Sequence, residues 1–419
     1  MPRGSRDAYA GVWTVALAAV AAALAGAQQS TASRREVDVD AVSLYVNPAS
    51  LQLAARPELR AELLSGPHQY LRFVNRPFAR AVCSVFRSHL AEMPRVALHG
   101  DAQLGQYAVT DAGRGLTGFE ETSSGPALVD LVRLGVSVRL VSDQHGWRTD
   151  PARIVRQLFA GYRKGLSAPQ ADPDSPAAAL RIEAGFRRED RASFLAWADS
   201  LTSPLAPDLR SELEESVRRY AGPLLAAEPG LDPAFFRVEA AGTIALGVGS
   251  ALDEKYLIRV RGPGEGPDDD VVLEAREVRN PGDVDCVDPG SKADPFRMLL
   301  GRPGIAYRPW LGFFQLRRRP FWVHAWLANY VELDLETSIR NPAELAEIAF
   351  DSGAQLASAH FEGPEGETRE ARARQRALLD RDQARVEGVI RDLAEITTEA
   401  WRRFRAAAAR EGVVARSPS

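Results

Sequence analysis

Hydrophobic and polar positions along the chain alternate between helical periods and one block of strand-like alternation. After an apolar run at Gly11–Ala27 and a polar stretch over 28–40, helical periods come at Pro57–Leu64 and Arg76–Glu92; in the second, Phe78, Val82, Val85, Phe86 and His89 share a face. Short strands are expected at Arg95–His99, Gln106–Thr110 and Leu116–Glu120, the last two flanking the turn-forming stretch Asp111–Gly115. Pro126 opens a helix from Ala127 to about Val141, and helical periods fill Asp150–Tyr220 except for a loop at Ser167–Pro176. Beyond Phe235 the period changes. Arg237–Leu246, Glu254–Arg261 and Val271–Val278 read as strands, with further strands at Trp310–Gln315 and Phe321–Tyr330, before long helices return over Pro342–Ala409. The expected class is α+β, with a helical half, a β half and a helical tail.

Length and charge narrow the partners. A chain of 419 residues can build two or three cores. A net charge of −4 gives no global basic field, so neither nucleic acid nor an anionic membrane surface is expected as a partner. Only Lys164, Lys255 and Lys292 among the 52 basic residues are lysines, which makes each worth following. Arg3 and Arg6 precede the apolar run, which ends in Ala25-Gly26-Ala27, the small-residue pattern of a signal-peptidase site. The run is shorter than the ~20 apolar residues that span a bilayer. A cleaved leader, an uncleaved anchor and a cytosolic Ala-rich helix stay open; the expected location is the cell envelope, with the cytoplasm as the lesser alternative and membrane contact only through this segment. Expected boundaries are 1–27 for the leader or anchor, 28–40 for a linker, 41–235 for a helical lobe, 236–335 for a β-rich lobe and 336–419 for helices completing the first lobe. Cys83 and Cys286 can pair in an oxidising compartment, but their spacing does not require it.

The stretch Val96–Leu134 carries the chemistry. An apolar strand runs into His99-Gly100-Asp101, Gln106 follows five residues after the aspartate, and a hairpin returns with Glu120 and Glu121. Phosphoryl transfer needs one acid to orient a hydroxyl and others to hold magnesium against phosphate. The plainer alternative is that Asp101 caps a turn while the two glutamates are solvated.

The run HGDAQLGQYAV resembles the catalytic loop of aminoglycoside-phosphotransferase-type kinases, and is more similar to GDAHLGNFG of the bacterial domain-of-unknown-function family numbered 2252. Three further stretches resemble that family in order: GFEETSSGPALVDLVRLGVSV at Gly118–Val138, Gly247-Val-Gly-Ser250 with Val272–Glu277, and Gln355–His360. The resemblance implies a protein-kinase-like two-lobe fold with the lobes circularly permuted, because the glycine segment follows the catalytic-loop segment. Termini often lie close together, so permutation is physically tolerable.

Position by position, the resemblance makes Asp101 the candidate base, Gln106 and Glu120 candidate magnesium ligands, and Gly247, Gly249, Ser250, Arg276 and Glu277 candidate contacts to ATP. Gln106 stands for an asparagine, Glu120 for an aspartate, Arg276 for a lysine, and Gly118 for an aspartate. Each added methylene moves a ligand atom by about 1 Å at a metal that tolerates little distortion, and an arginine does not replace a lysine at a phosphate without cost. The expected function is therefore a degenerate, pseudokinase-like module at the cell envelope, binding a nucleotide, another phosphorylated ligand or a protein partner. The alternatives are an atypical ATP-dependent phosphotransferase acting on a small-molecule hydroxyl, and a purely structural envelope protein.

Overall fold

The computed structural model describes residues 35–38, 42–111, 113–147, 151–169, 173–187, 190–227, 230, 232, 234–244, 254–262, 264, 266–278, 282, 284–288, 310–361 and 365–414. The chain from Val37 onward forms one compact unit. Its elements begin with helices α1 (Pro57–Ser65), α2 (Pro67–Phe73) and α3 (Asn75–Val85), followed by strands β1 (Arg95–Leu98), β2 (Tyr107–Thr110), β3 (Gly113–Leu116) and β4 (Ser123–Pro126). Helices α4 (Leu128–Gln144), α5 (Pro151–Ser167), α6 (Ala177–Glu183) and α7 (Arg191–Ser200) come next, then β5 (Ser203–Pro204) and α8 (Pro207–Ala227). The β-rich half supplies β6 (Val238–Thr243), β7 (Lys255–Val260), β8 (Val271–Glu277), β9 (Gly312–Leu316), β10 (Arg319–Ala325) and β11 (Tyr330–Glu332), and the chain closes with α9 (Pro342–His360) and α10 (Glu365–Val414). The mixture of helix and strand is the α+β class that the periodicity predicts.

Three local expectations change. The single helix expected at Arg76–Glu92 stops at Val85, and an unexpected helix, α2, precedes it. Proline opens both α1 and α2 at the first helical position, where its missing N–H costs nothing. The strand expected at Leu116–Glu120 ends at Leu116 because Gly118 turns to a φ of +78°; a short 3-10 turn over Phe119–Glu121 follows, and β4 then pairs with β1. The strand expected at Phe321–Tyr330 is two: β10 stops at Ala325, and β11 pairs with β2 instead.

The helical core is continuous. Helix α4 is apolar on nearly every side and almost wholly buried, as an all-round hydrophobic helix must be. Fully buried Phe78, Phe159, Tyr162 and Phe404 fill the space around it, each contributing roughly 1.5–3 kcal/mol over exposure. Helices α5 and α9 approach so closely that a Cβ on Gly161 would meet the Phe350 carbonyl oxygen at 1.9 Å. Cys83 on α3 forms a disulfide with Cys286, 203 residues away. Closing so long a loop stabilises by about 5 kcal/mol in the chain-entropy picture.

Six antiparallel strands form one sheet in the order β5-β6-β7-β8-β10-β9. The pleat sends alternate residues to opposite faces. One face carries Tyr256, Ile258, Leu273, Phe321 and Val323 against Leu213, Val217 and Tyr220 of α8. The other face carries Lys255, Glu274, Arg276, Trp322 and His324 as cross-strand neighbours. At one end of that second face Leu257 and Val272 pack on Phe194 and Leu195 of α7. At the other, Trp322 packs on Phe119 and Ala359.

Candidate functional site

The loop after β1 is held from behind by α4. Asp130, fully buried, accepts the backbone N–H of His99 at 2.7 Å with one carboxylate oxygen and that of Gly100 at 3.0 Å with the other. His360 of α9 contacts the same carboxylate at 3.1 Å and meets the Tyr162 hydroxyl at 2.8 Å through its other nitrogen. His99 donates from Nε2 to the Thr117 carbonyl at 2.8 Å and accepts the Asp101 N–H on Nδ1 at 3.3 Å. Both ring nitrogens of His99 are thus spent on the turn.

Asp101 sits at the loop apex, 7% exposed. Arg133, one turn beyond Asp130 on α4, donates to Asp101 Oδ1 from Nε at 2.9 Å and again from Nη2. Gln106 donates from Nε2 to the other oxygen at 3.1 Å, and Gln103 at 3.4 Å. Burial alone would raise the Asp101 pKa; the charges of Arg133 and Arg72 and the hydrogen bonds from Arg133 and Gln106 outweigh it, and the carboxyl titrates below its usual range. Arg133 is itself 1% exposed, donates also to the Leu71 carbonyl, and lies over the Phe78 ring.

Gln106 and Gly118 fit each other. A Cβ on Gly118 would lie 2.2 Å from Gln106 Oε1, and the Gly118 φ of +78° already disfavours any side chain. The longer amide therefore occupies the space that a side chain at 118 would need. Two of the departures from the resembled motif are one steric event. Glu120 lies in the 3-10 turn that follows, its side chain outside the described residues.

Across from this loop stands the polar face of the sheet. Glu274 accepts from Arg276 Nε at 2.7 Å and faces His324 Nε2 at 3.0 Å, while His324 Nδ1 meets the Ala325 carbonyl at 2.8 Å. Burial opposes ionisation of Glu274, but Arg276, His324 and Lys255 together hold its carboxyl far below the ordinary range. Trp322, the cross-strand neighbour of Arg276, stacks edge-on with Phe119 at 5.6 Å, and Phe119 meets the His99 ring at 5.5 Å. The loop and the Arg276 strand are thereby joined through two aromatic rings. Glu277 is separated from Arg276 by the pleat: it faces the other side and pairs with Arg319 at 3.2 Å. Gly247, Gly249 and Ser250 lie outside the described residues.

The candidate residues thus divide. Asp101 and Gln106 form one hydrogen-bonded group, and Arg276 stands on a second surface with Lys255, Glu274 and His324. Among the described residues no three His, Cys, Asp or Glu side chains converge as a metal site. Asp130 and Arg133 escaped attention although a signal existed: they are the only charged residues in the apolar run Ala127–Val138, and a charge inside an all-apolar helix must find a buried partner.

Residues 57–196 match the sequence profile of a bacterial family described as "Uncharacterized protein conserved in bacteria (DUF2252)". The match takes in the Asp101 loop, Asp130 and Arg133 and stops before the strand of Arg276. Neither the curated proteins nor the solved structures gave a match.

Proposed function

We propose that this chain is a kinase-like two-lobe protein, its lobes in permuted order, whose Asp101 centre has passed from catalysis to scaffolding. In this reading it serves as a non-catalytic module that binds a nucleotide or another phosphorylated small molecule. The observation that carries the reading is the buried Arg133–Asp101 ion pair. A general base needs a carboxylate with a free lone pair and a pKa near the working pH; Asp101 has donors on both oxygens and a depressed pKa. Gln106 turns its amide N–H₂ toward Asp101, so a magnesium ion bound between them would first have to displace both partners. With Asp101 and Gln106 bonded to each other in this way, the centre as it stands does not fit magnesium.

The sheet face supports ligand binding in this reading: it gathers Lys255, Arg276 and His324 beside Glu274, and basic side chains of this kind can contact phosphate oxygens. The same face favours the second reading, an atypical phosphotransferase with Asp101 as base, Gln106 and Glu120 for magnesium and Arg276 on ATP. The disulfide together with the apolar leader supports placement in an oxidising cell envelope. The structural reading rests on Phe119 and Trp322, which fill the space between loop and sheet.

Thermal-shift titration of the full chain with ATP, GTP and inorganic phosphate, with and without magnesium, separates the three. Stabilisation without turnover is the expected result. Magnesium-dependent ATP hydrolysis or autophosphorylation, lost in a folded Asp101→Asn variant, would establish the phosphotransferase instead. No stabilisation by any of the three would leave only the structural reading.

A further inference from the structure

A cavity of about 270 Å³ lies beside the Asp101 loop, away from the sheet face of Arg276. Its walls come from α1 and α2, the loop before β2, and the segment running from β11 toward α9. It shares Gln103 with the Asp101 group, because that side chain donates to Asp101 from Nε2 and lines the cavity as well.

The floor is built from polar groups that the fold leaves unsatisfied. Gln103 is fully buried, and its Oε1 has no hydrogen-bond partner. His68 is 3% exposed; one ring nitrogen meets the Ser137 hydroxyl at 2.7 Å, and Nδ1 has no partner. Buried polar atoms are nearly always hydrogen-bonded, and leaving one unmade costs about 1–3 kcal/mol. Two in one cavity wall point to a ligand that supplies the missing bonds. Arg72 lines the same space and, among the described residues, makes no hydrogen bond or ion pair. Gly105 closes the wall, and its bare Cα keeps clear of Gln103 Oε1.

The rim has the opposite sign. Glu62, Glu332, Asp334 and Glu336 line the mouth, the last three exposed. Asp334 is committed to the backbone N–H groups of Glu336 and Thr337, and Glu336 accepts from Gln144. Glu332 accepts from the Tyr330 hydroxyl on one oxygen only, and among the described residues no hydrogen bond reaches the Glu62 carboxylate, the Ser65 hydroxyl donating to its backbone carbonyl instead. Burial raises the Glu62 pKa, against the pull of Arg72, as befits a carboxylate short of a cation.

The charge pattern selects the ligand. A simple anion would meet Arg72 but also four carboxylates. A simple cation would suit the rim and leave Arg72 facing like charge. A molecule with one carboxylate and one or two ammonium groups satisfies both. We propose that this cavity binds a small zwitterion of the amino-acid class, its carboxylate on Arg72 and its ammonium groups among Glu62, Glu332 and the Oε1 of Gln103. A space of 270 Å³ holds a molecule of that size.

The test uses the full chain and calorimetric titration with three probes: L-lysine; cadaverine, which is lysine without its carboxylate; and hexanoate, which lacks both amines. Lysine is expected to bind at least about tenfold more tightly than either, the usual worth of one charge-assisted contact. Arg72→Gln is expected to erase the advantage of lysine over cadaverine, and Glu62→Gln to weaken both amines while leaving hexanoate unchanged. Both side chains are partly exposed, and circular dichroism checks that each variant is folded. Should either fail to fold, the comparison of the three probes on the unaltered chain decides alone. Equal affinity for lysine and cadaverine, tighter binding of hexanoate, or no heat with any probe would overturn the proposal. It stands apart from the nucleotide reading: a shift with ATP and none with lysine removes this site and leaves the other intact.

Discussion

The Asp101 loop and the facing sheet surface handle buried charge in opposite ways. At the loop, one anion and one cation are matched inside an apolar helix bundle, and both Asp101 oxygens take directed hydrogen bonds. On the sheet, Glu274 stands among Lys255, Arg276 and His324, which come from three neighbouring strands. A balanced pair specifies a shape and offers little to a visitor. Basic side chains gathered on a sheet face can turn toward an incoming anion. The difference teaches where residual function should be sought: on the strands rather than at the residue that resembles a catalytic base.

The comparison breaks most sharply on Arg133. Arg133→Ala leaves Asp101 buried without its cation and should cost about 4 kcal/mol in urea unfolding, with nucleotide or phosphate binding unaltered in whatever fraction stays folded. A loss under about 1 kcal/mol would mean that the pair is not what holds the loop.

Acid comes next. Burial, with the charges of Arg133 and Arg72, lowers the His68 pKa to about 3, so the folded state holds this ring neutral while the unfolded chain protonates it near 6.5. The unfolded state therefore binds more protons across that window. The His68 contribution is fully present above about pH 6.5 and is lost as pH falls toward 3, amounting to roughly 3 kcal/mol by pH 4. His68→Gln should flatten that limb of the stability–pH curve, measured by denaturant midpoints at stepped pH.

A smaller effect belongs to Gly118. Gly118→Ala combines a positive φ with a clash against Gln106, for a cost of about 2 kcal/mol. Adding Gln106→Ala should recover about half of it, a coupling that a double-mutant cycle reads directly. Strict additivity would show that the two positions are unrelated. The smallest stability change is expected on the sheet: Arg276→Met should cost about 1 kcal/mol or less, since His324 and Lys255 remain beside Glu274, yet abolish the thermal shift with phosphate ligands. If Arg276→Met unfolds the chain as Arg133→Ala does, the contrast between the two regions fails.

Much of this was legible from residue order alone. The change of period near Phe235, the helix beginning after Pro126 and the apolar strands β7 and β8 follow from patterns that local sequence carries. The Asp101–Gln106 grouping was legible because both lie on one short loop. Glu274 and His324 were not, because each is made a neighbour of Arg276 by strand register, which residue spacing does not encode. Lys255 stood out by rarity alone. Gly118 looked like a lost carboxylate; only with Gln106 beside it in space does the glycine become the condition for the longer amide.

Strand β11 carries a further consequence. It is drawn from the later, β-rich half of the chain, yet it hydrogen-bonds to β2 from the first half, with Leu333 adding one more bond to the Tyr107 carbonyl. A polypeptide cut after Ala227 would retain every residue of the family match and still lose the third strand of that small sheet. The N–H and C=O groups along one side of Tyr107–Thr110 would then lie open, inviting another chain to pair with them. Across the boundary that the composition draws near Phe235, the two halves thus share the backbone hydrogen bonds of one small sheet.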